Sequence, residues 1–500
     1  MIWLNFLHFY QPASQQEDVL ESVITQCYKP IFERLASLKK VGLTINISGS
    51  LLDLFDKYGH KDLIEKIKEL VQSGKIELTG SCKYHALLPL VPESEAIRQI
   101  KQNEETLRKY LVKDLKLRGF FPPEMAYNPK LSSLLEKLGY EWVIVDEIAN
   151  SKGFIDGVTN KFFVCQNSKL KIFFRIRRVS NLIMSSVVRD TQSFEQSIKE
   201  DLSQDGYLVT GMDGETFGHH RIGFENFLFN VLEDKNIDIS TFSDFIDSKS
   251  EEYSVEEIQP LSSTWASSPQ DILDGIQFIS WKDSDNEVHK YEWELLNLAL
   301  SLVEKMSLDT EKEKEVREKM DIALASDHFF WASGKPWWSL EMIEDGAYRL
   351  LDVIRSVPQA TNEEKNNAAN LYEKIVSVSF MWQRSGKIRK MAKEQHEALR
   401  IPFKDRTMGK GGVETAVYNA FIDMLKTQEQ KAVEEKEYEK ALLWRDAIYK
   451  LENKLDIYDT INAIDLLRIE IGNNEVEKII EKYKQDYLKI RGGQPEQRGR

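Results

Sequence analysis

Cysteine is scarce in this 500-residue chain: Cys27, Cys82 and Cys165 are the only three, and no two form a CxxC pair. That excludes a disulfide framework and a thiolate zinc site, and it fits a reducing, cytoplasmic setting. Long apolar runs are missing too. No stretch approaches the roughly 20 apolar residues that span a bilayer. The opening MIWLNFLHFYQP lacks a basic start and a small-residue cleavage site, so it reads as a first strand. Basic clusters are also lacking. A formal charge of −14 argues against nucleic acid or an anionic membrane as partner, because both need concentrated Lys and Arg. A neutral substrate such as a carbohydrate is compatible with it. No GxGxxG or GxxxxGK[ST] loop follows any strand candidate, and neither HExxH nor HxxxH occurs. No cofactor and no metal are expected. His219 and His220 are adjacent, and adjacent side chains usually diverge rather than share an ion.

What is present is an alternation. Strand candidates Ile2–His8, Leu43–Ser48, Lys75–Gly80, Leu115–Phe121, Trp142–Asp146 and Tyr207–Met212 are interleaved with amphipathic segments. Those segments run near Val19–Leu38, Leu52–Val71, Glu93–Leu111, Pro129–Leu138 and Thr191–Leu202. Alternation of this kind predicts an α/β fold with a mostly parallel sheet. Lys161–Arg175, two apolar runs around Asn167-Ser168, reads as an inserted hairpin. Polar residues fall just after the strands, at His8, Gln11, Ser48, Tyr84, His85, Glu124, Asp146 and Asp213. A closed barrel gathers strand C-termini around one mouth, so it is preferred over an open sheet. From about Asp283 strand signals stop and long helical patterns follow. The expected organisation is a barrel over 1–282, a helical domain over 283–400, a linker over 401–413, a helical extension over 414–490 and a disordered tail over 491–500.

Two segments carry the chemistry. GFFPPEMAYNP delivers Glu124 after a proline pair that rigidifies the strand exit, and MDGETFGHHR delivers Asp213 after another apolar run. Two carboxyls from different strand ends suit sugar-bond cleavage, one as proton donor and one as nucleophile or ion stabiliser. Taken singly, Glu124 reads equally as a solvated loop acid and Asp213-Gly214 as a turn. His8 and His85 either bind hydroxyls or are satisfied core histidines. Among the tryptophans, Trp331, Trp337 and Trp338 lie in a polar, Gly- and Pro-bearing break between helices, where a ring could stack on a sugar, whereas Trp293 reads as core.

Five segments, in order, resemble glycoside hydrolase family 57, over roughly residues 1 to 350. They are LHFYQP, GKIELTGSCKYHALLPL, GFFPPEMAYNPKL, MDGETFGHH and ALASDHFFW. The resemblance implies an incomplete (β/α)7 barrel followed by a helical region that completes the cleft. It also implies a retaining mechanism on α-linked glucans that needs no metal. By position, Glu124 is the expected nucleophile and Asp213 the general acid/base. His8, Gln11, His85, Glu215, His219 and Asp327 are expected to line the substrate site, with Trp331 and Trp337 as ring-stacking walls. For the acid/base role Asp213 should have the raised pKa, with Glu215 as its perturber. Two positions depart from the pattern. Tyr10 stands where the family commonly has a second His, and Met212 where some members have an Asp.

Near the C-terminus, AVEEKEYEKALLWRDAIYKLENKL resembles the UVR motif, a helical hairpin that serves as an interaction module, and implies a protein contact or self-association. The same stretch reads equally as an amphipathic helix with i,i+4 charge pairs. The rival functional readings are a metal-dependent deacetylase or α-mannosidase-like hydrolase of related barrel, and a non-catalytic carbohydrate-binding or scaffold protein.

Overall fold

The computed structural model describes residues 1–391 except 40, 154, 156, 187 and 336, then 414–453 and scattered positions between 466 and 482. The expected linker over 401–413 and tail over 491–500 lie outside the described residues. Ten strands occur among the described residues: β1 (Ile2–Phe9), β2 (Leu43–Ile47), β3 (Ile76–Leu78), β4 (Gly119–Phe120), β5 (Trp142–Asp146), β6 (Lys161–Cys165), β7 (Lys171–Arg175), β8 (Tyr207–Asp213), β9 (Asp238–Ile239) and β10 (Ser254–Ile258). They pair as β3-β2-β1-β8, with β9 added against β1, and as β10-β6-β7-β5-β4. The two sheets meet at both edges. Gly80 and Phe120 form a parallel bridge, with Phe121 N–H donating to Gly80 at 2.9 Å. On the other side Ile176 N–H donates to Val209 at 2.9 Å. Seven strands, β1-β2-β3-β4-β5-β7-β8, thus close a barrel that is only sparsely bonded at β3/β4 and β7/β8.

Local chemistry explains the elements. β1, β2 and β5 are buried almost throughout, as strands covered on both faces of a parallel sheet must be, hence their unbroken apolar runs. Asn128 caps the helix Pro129–Lys137 by accepting from Leu131 N–H at 3.0 Å, and Pro129 occupies the first turn. The predicted single helix Leu52–Val71 is two helices, Gly49–Lys57 and Lys61–Gln72, because Gly59 turns the chain at φ +89°. Gly119 has a packing reason. A Cβ there would lie 2.0 Å from the buried Trp142 ring.

The segment Lys161–Arg175 corrects the sequence reading. β6 and β7 are antiparallel, as expected of a hairpin, but β7 is no insertion: it runs parallel to β5 and forms a wall of the barrel. Only β6, with β10 beside it, is an addition.

After Ile258 the described residues form helices, chiefly Glu287–Val303, Glu311–Ala323, Leu340–Ser356 and Asn362–Ser385, around Leu296, Ala299, Leu350, Ile354 and Ile375. The buried Asp321 ties this layer to the barrel helix Glu93–Tyr110. It accepts from Arg98 Nη2 and from Gln102 Nε2, each at 2.7 Å, while Gln99 donates to its carbonyl at 2.9 Å. That anchor sets the position of the short helix Asp327–Trp331 over the barrel mouth. Farther on, Glu414–Glu434 and Tyr438–Asn453 pack as a helical pair through Phe421, Leu425, Trp444 and Ile448. No helix among the described residues is long and apolar enough to cross a membrane.

Candidate active site

The C-terminal ends of the barrel strands bring residues far apart in sequence to one place. His8, the last but one residue of β1, is in register with Asn46 of β2 on one side and Asp213 of β8 on the other. His8 Nδ1 lies 2.8 Å from Asn46 Oδ1, and His8 Nε2 lies 3.2 Å from His85 Nε2. If Nδ1–H of His8 donates to Asn46, His85 must donate Nε2–H to His8. His85 Nδ1 is then unprotonated and accepts from Ser326 Oγ–H at 3.3 Å. Burial pushes His8 down to about 4 and His85 well below its usual value, so both rings are neutral at neutral pH. His85 and Glu124, 3.9 Å apart, are therefore a polar contact and no ion pair.

Glu124 sits in the left-handed region, φ 60° and ψ 16°, in a tight turn after Pro122-Pro123; Met125 (φ 47°) and His85 (φ 58°) are held likewise. Such conformations cost on the order of 1 kcal/mol or more each, and surrounding contacts must enforce them. Burial and the charge of Asp213 raise the Glu124 pKa to about 8, against the hydrogen bond from Trp265 Nε1–H to Oε2 at 2.7 Å. Asp213 is raised to about 6 by burial, with the Arg175 guanidinium pulling the other way. Glu215 is raised to about 8 by burial and by Asp213, while Tyr28 donates its hydroxyl to it and receives Gln11 Nε2–H at 3.1 Å. Asp327, raised to about 6 by burial, accepts from the Tyr10 hydroxyl at 2.7 Å. Both acids are therefore raised, Glu124 partly by the charge of Asp213, while the Arg175 cation opposes the rise at Asp213.

Tyr10 fills the place of the missing histidine. Its ring stacks on His85, 4.1 Å between centroids and 13° between planes, and its hydroxyl reaches across to the helical layer at Asp327. Trp331 follows Asp327 by four residues on the same short helix, hence on the same face, and meets Trp337 edge-on at 5.4 Å. A cavity shares Tyr10 and Asp327 with this cluster and continues along Tyr84, His328, Met342 and Arg349.

Of the predicted residues, His8, His85, Glu124 and Asp327 are linked directly or through Tyr10 and Ser326. Asp213 and Glu215 join through charge, and Gln11 through Tyr28. His219 is placed against Gln26, 2.8 Å from its Oε1, and His220 is exposed. Sequence reasoning missed Asn46, Trp265, Arg175 and Tyr28. Arg175 had a signal, a charge ending the apolar run KIFFR. It donates to Asp146 at 2.8 Å and to the Gly211 carbonyl at 2.6 Å from full burial beneath Asp213. Among the described residues no three His, Cys, Asp or Glu side chains are grouped to hold a metal ion.

The barrel mouth thus gathers paired carboxyls and aromatic rings at one place. The family model for glycosyl hydrolase family 57 matches residues 4–259, and the chain belongs to that family. An α-amylase of Pyrococcus horikoshii is 23% identical over 262 residues, 49% of this chain and 40% of that protein. A 4-α-glucanotransferase of Thermococcus kodakarensis is 24% identical over 263 residues, 49% of this chain and 39% of its own length. The match thus spans about two fifths of these relatives. A family 57-type branching enzyme of Pyrococcus horikoshii shares the fold, with a TM-score of 0.55 at 17% identity over 75% of this chain and 94% of that one.

Proposed function

We propose that this chain cleaves or transfers α-linked glucan by double displacement. Glu124 attacks the anomeric carbon while Asp213 passes its proton to the leaving oxygen. Asp213 then takes a proton from water, or from a sugar hydroxyl in transfer, as that oxygen attacks the anomeric carbon and releases Glu124. The observation that carries the reading is the placement of two largely buried carboxyls at one barrel mouth, Glu124 just past β4 and Asp213 at the end of β8, near enough for the charge of Asp213 to act on Glu124. With values of about 8 and about 6, the pair holds close to one proton at pH 7, the total that the first step requires. The first step needs that proton on Asp213. A glycosidic oxygen accepting from Asp213 and a partly positive anomeric carbon beside Glu124 both push it that way. His8, His85, Glu215 and Asp327 supply the polar lining, and Trp331 and Trp337 the stacking wall. The relatives' names, amylase and glucanotransferase, support an α-glucan as the substrate.

The buried, unbridged cysteines suit action in a reducing compartment. The pair Glu414–Glu434 and Tyr438–Asn453 serves as a contact module, exposing Tyr438, Leu442 and Leu443. The catalytic reading is tested with Glu124→Gln and Asp213→Asn on maltooligosaccharides and soluble starch. Each should lose at least about a thousandfold in turnover. Near-full turnover by either variant of an otherwise active enzyme would overturn the assignment.

A further inference from the structure

Trp265 lies in a loop that follows the last strand, 141 positions from Glu124, yet grips that residue at both ends. Its indole N–H donates to Glu124 Oε2 at 2.7 Å, and its main-chain N–H donates to the Glu124 carbonyl at 3.2 Å. The loop is itself fastened. Arg177 Nη2–H donates to the carbonyls of Trp265, at 3.1 Å, and Ser267, at 2.8 Å, while its Nε–H donates to the buried Asp146 at 2.5 Å. Ser263 and Tyr127 exchange main-chain hydrogen bonds at 2.9 and 3.1 Å. Glu124 thus has its left-handed turn pinned at the carbonyl and its carboxylate pinned at one oxygen, from a single residue whose position is set by an ion pair.

We propose that Trp265 is the positioning residue of the nucleophile: it holds Oε2 and the turn, and so leaves Oε1 as the attacking atom. This deepens the double-displacement reading and rests on it for the word nucleophile, although the hydrogen bond itself does not. The bond also acts on charge. A donor to a carboxylate favours its ionised form, and here it opposes both burial and Asp213. Removing it raises the proton affinity of Glu124, so a smaller fraction is ionised at neutral pH.

Other titrating groups face Glu124 from each neighbouring element: His85 after β3, Asp213 at the end of β8, Asp327 in the helical layer and Tyr10 after β1. His85 is neutral and Tyr10 protonated across the working range, and Asp213 and Asp327 titrate near 6. Glu215 is also raised to about 8, so the loss of the change in Glu124→Gln is what assigns it to Glu124.

The experiment is an indole 15N–1H spectrum of the full chain from pH 5 to 9.5, with the Trp265 signal assigned by its loss in Trp265→Phe. In the wild type that signal should move with a midpoint near 8, and in Glu124→Gln it should stay fixed. A signal that does not move in the wild type, or moves identically in Glu124→Gln, overturns the proposal whether or not the chain turns over any glucan. If Trp265→Phe fails to fold, Arg177→Lys, which loosens the loop, identifies the signal by shifting it. Kinetics give the second readout. Trp265→Phe should lower kcat about 10- to 100-fold, the range for a hydrogen bond to a charged group, and should move the limb of the pH profile near 8 to higher pH. An equal loss at every pH would leave Trp265 a mere packing residue.

Discussion

Glutamine in place of Glu124 should make the chain more stable, and increasingly so as pH rises. The carboxyl is held at about 8 in the folded chain against an ordinary value of 4.5, first by burial and then by Asp213. A group whose folded pKa is raised binds its proton more tightly in the native state. Its contribution is fully present below 4.5 and is lost as pH climbs to 8. Ionising Glu124 in place then costs roughly 1 kcal/mol at pH 5, 3 at pH 7 and 5 above pH 9. These are upper bounds, since the side chain keeps 18% of its exposure and some contact with water. Glutamine has the same shape and no charge to lose. Its oxygen can still accept from Trp265 Nε1–H. Thermal unfolding of wild type and Glu124→Gln at pH 5, 7 and 9 and constant ionic strength is the assay. At about 2–4 °C per kcal/mol the midpoints should differ by about 2–4 °C at pH 5 and by up to about 10–20 °C at pH 9. A gap that does not change with pH, or a variant less stable at pH 9, would refute the electrostatic argument and the burial on which it rests.

The pH dependence of kcat/KM should be a bell with limbs near 6 and 8, reporting the carboxyl pair; a profile flat from pH 5 to 9 contradicts it. Tyr10→Phe keeps the stack on His85 but removes the donor to Asp327, so kcat/KM should fall about tenfold with the unfolding midpoint little changed; unaltered kinetics would separate Tyr10 from the substrate site. Arg175→Met leaves Asp146 with Arg177 alone and orphans the Gly211 carbonyl, and should cost about 3 kcal/mol of stability, read by denaturant unfolding. The same variant should raise the Asp213 pKa, because the nearby cation is gone. Anomer-resolved NMR of early products should show retained configuration; inversion would exclude Glu124 as nucleophile.

The carboxyls were legible because parallel strands buried on both faces are written as unbroken apolar runs, and the polar residue that ends each run marks the mouth. Glu124, Asp213, His8 and His85 were found that way. Asp327 was reached through its segment, ALASDHFFW, because no periodicity says which helix will lie over a barrel. β7 was misread for a related reason. The residues KFFVCQNSKLKIFFR form a hairpin locally, and whether the second strand also joins β5 depends on a pairing with residues some thirty positions away. Arg175 was lost with it, and Trp265 and Tyr28 reach the site from a loop and a helix with no distinguishing local pattern.

Local chemistry alone determined that this chain alternates strand and helix, that helices take over after the last strands, and that Glu124 and Asp213 leave strand ends. Those properties depend on neighbours along the chain: apolar runs, caps and prolines. Tertiary structure decided the rest. It chose which strands close the barrel, set Tyr10 against Asp327, and brought Trp265 to the carboxylate of Glu124. It also set the proton affinities of Glu124 and Asp213, because these depend on burial and on charges in space, Asp213 acting on Glu124 and the Arg175 cation on Asp213.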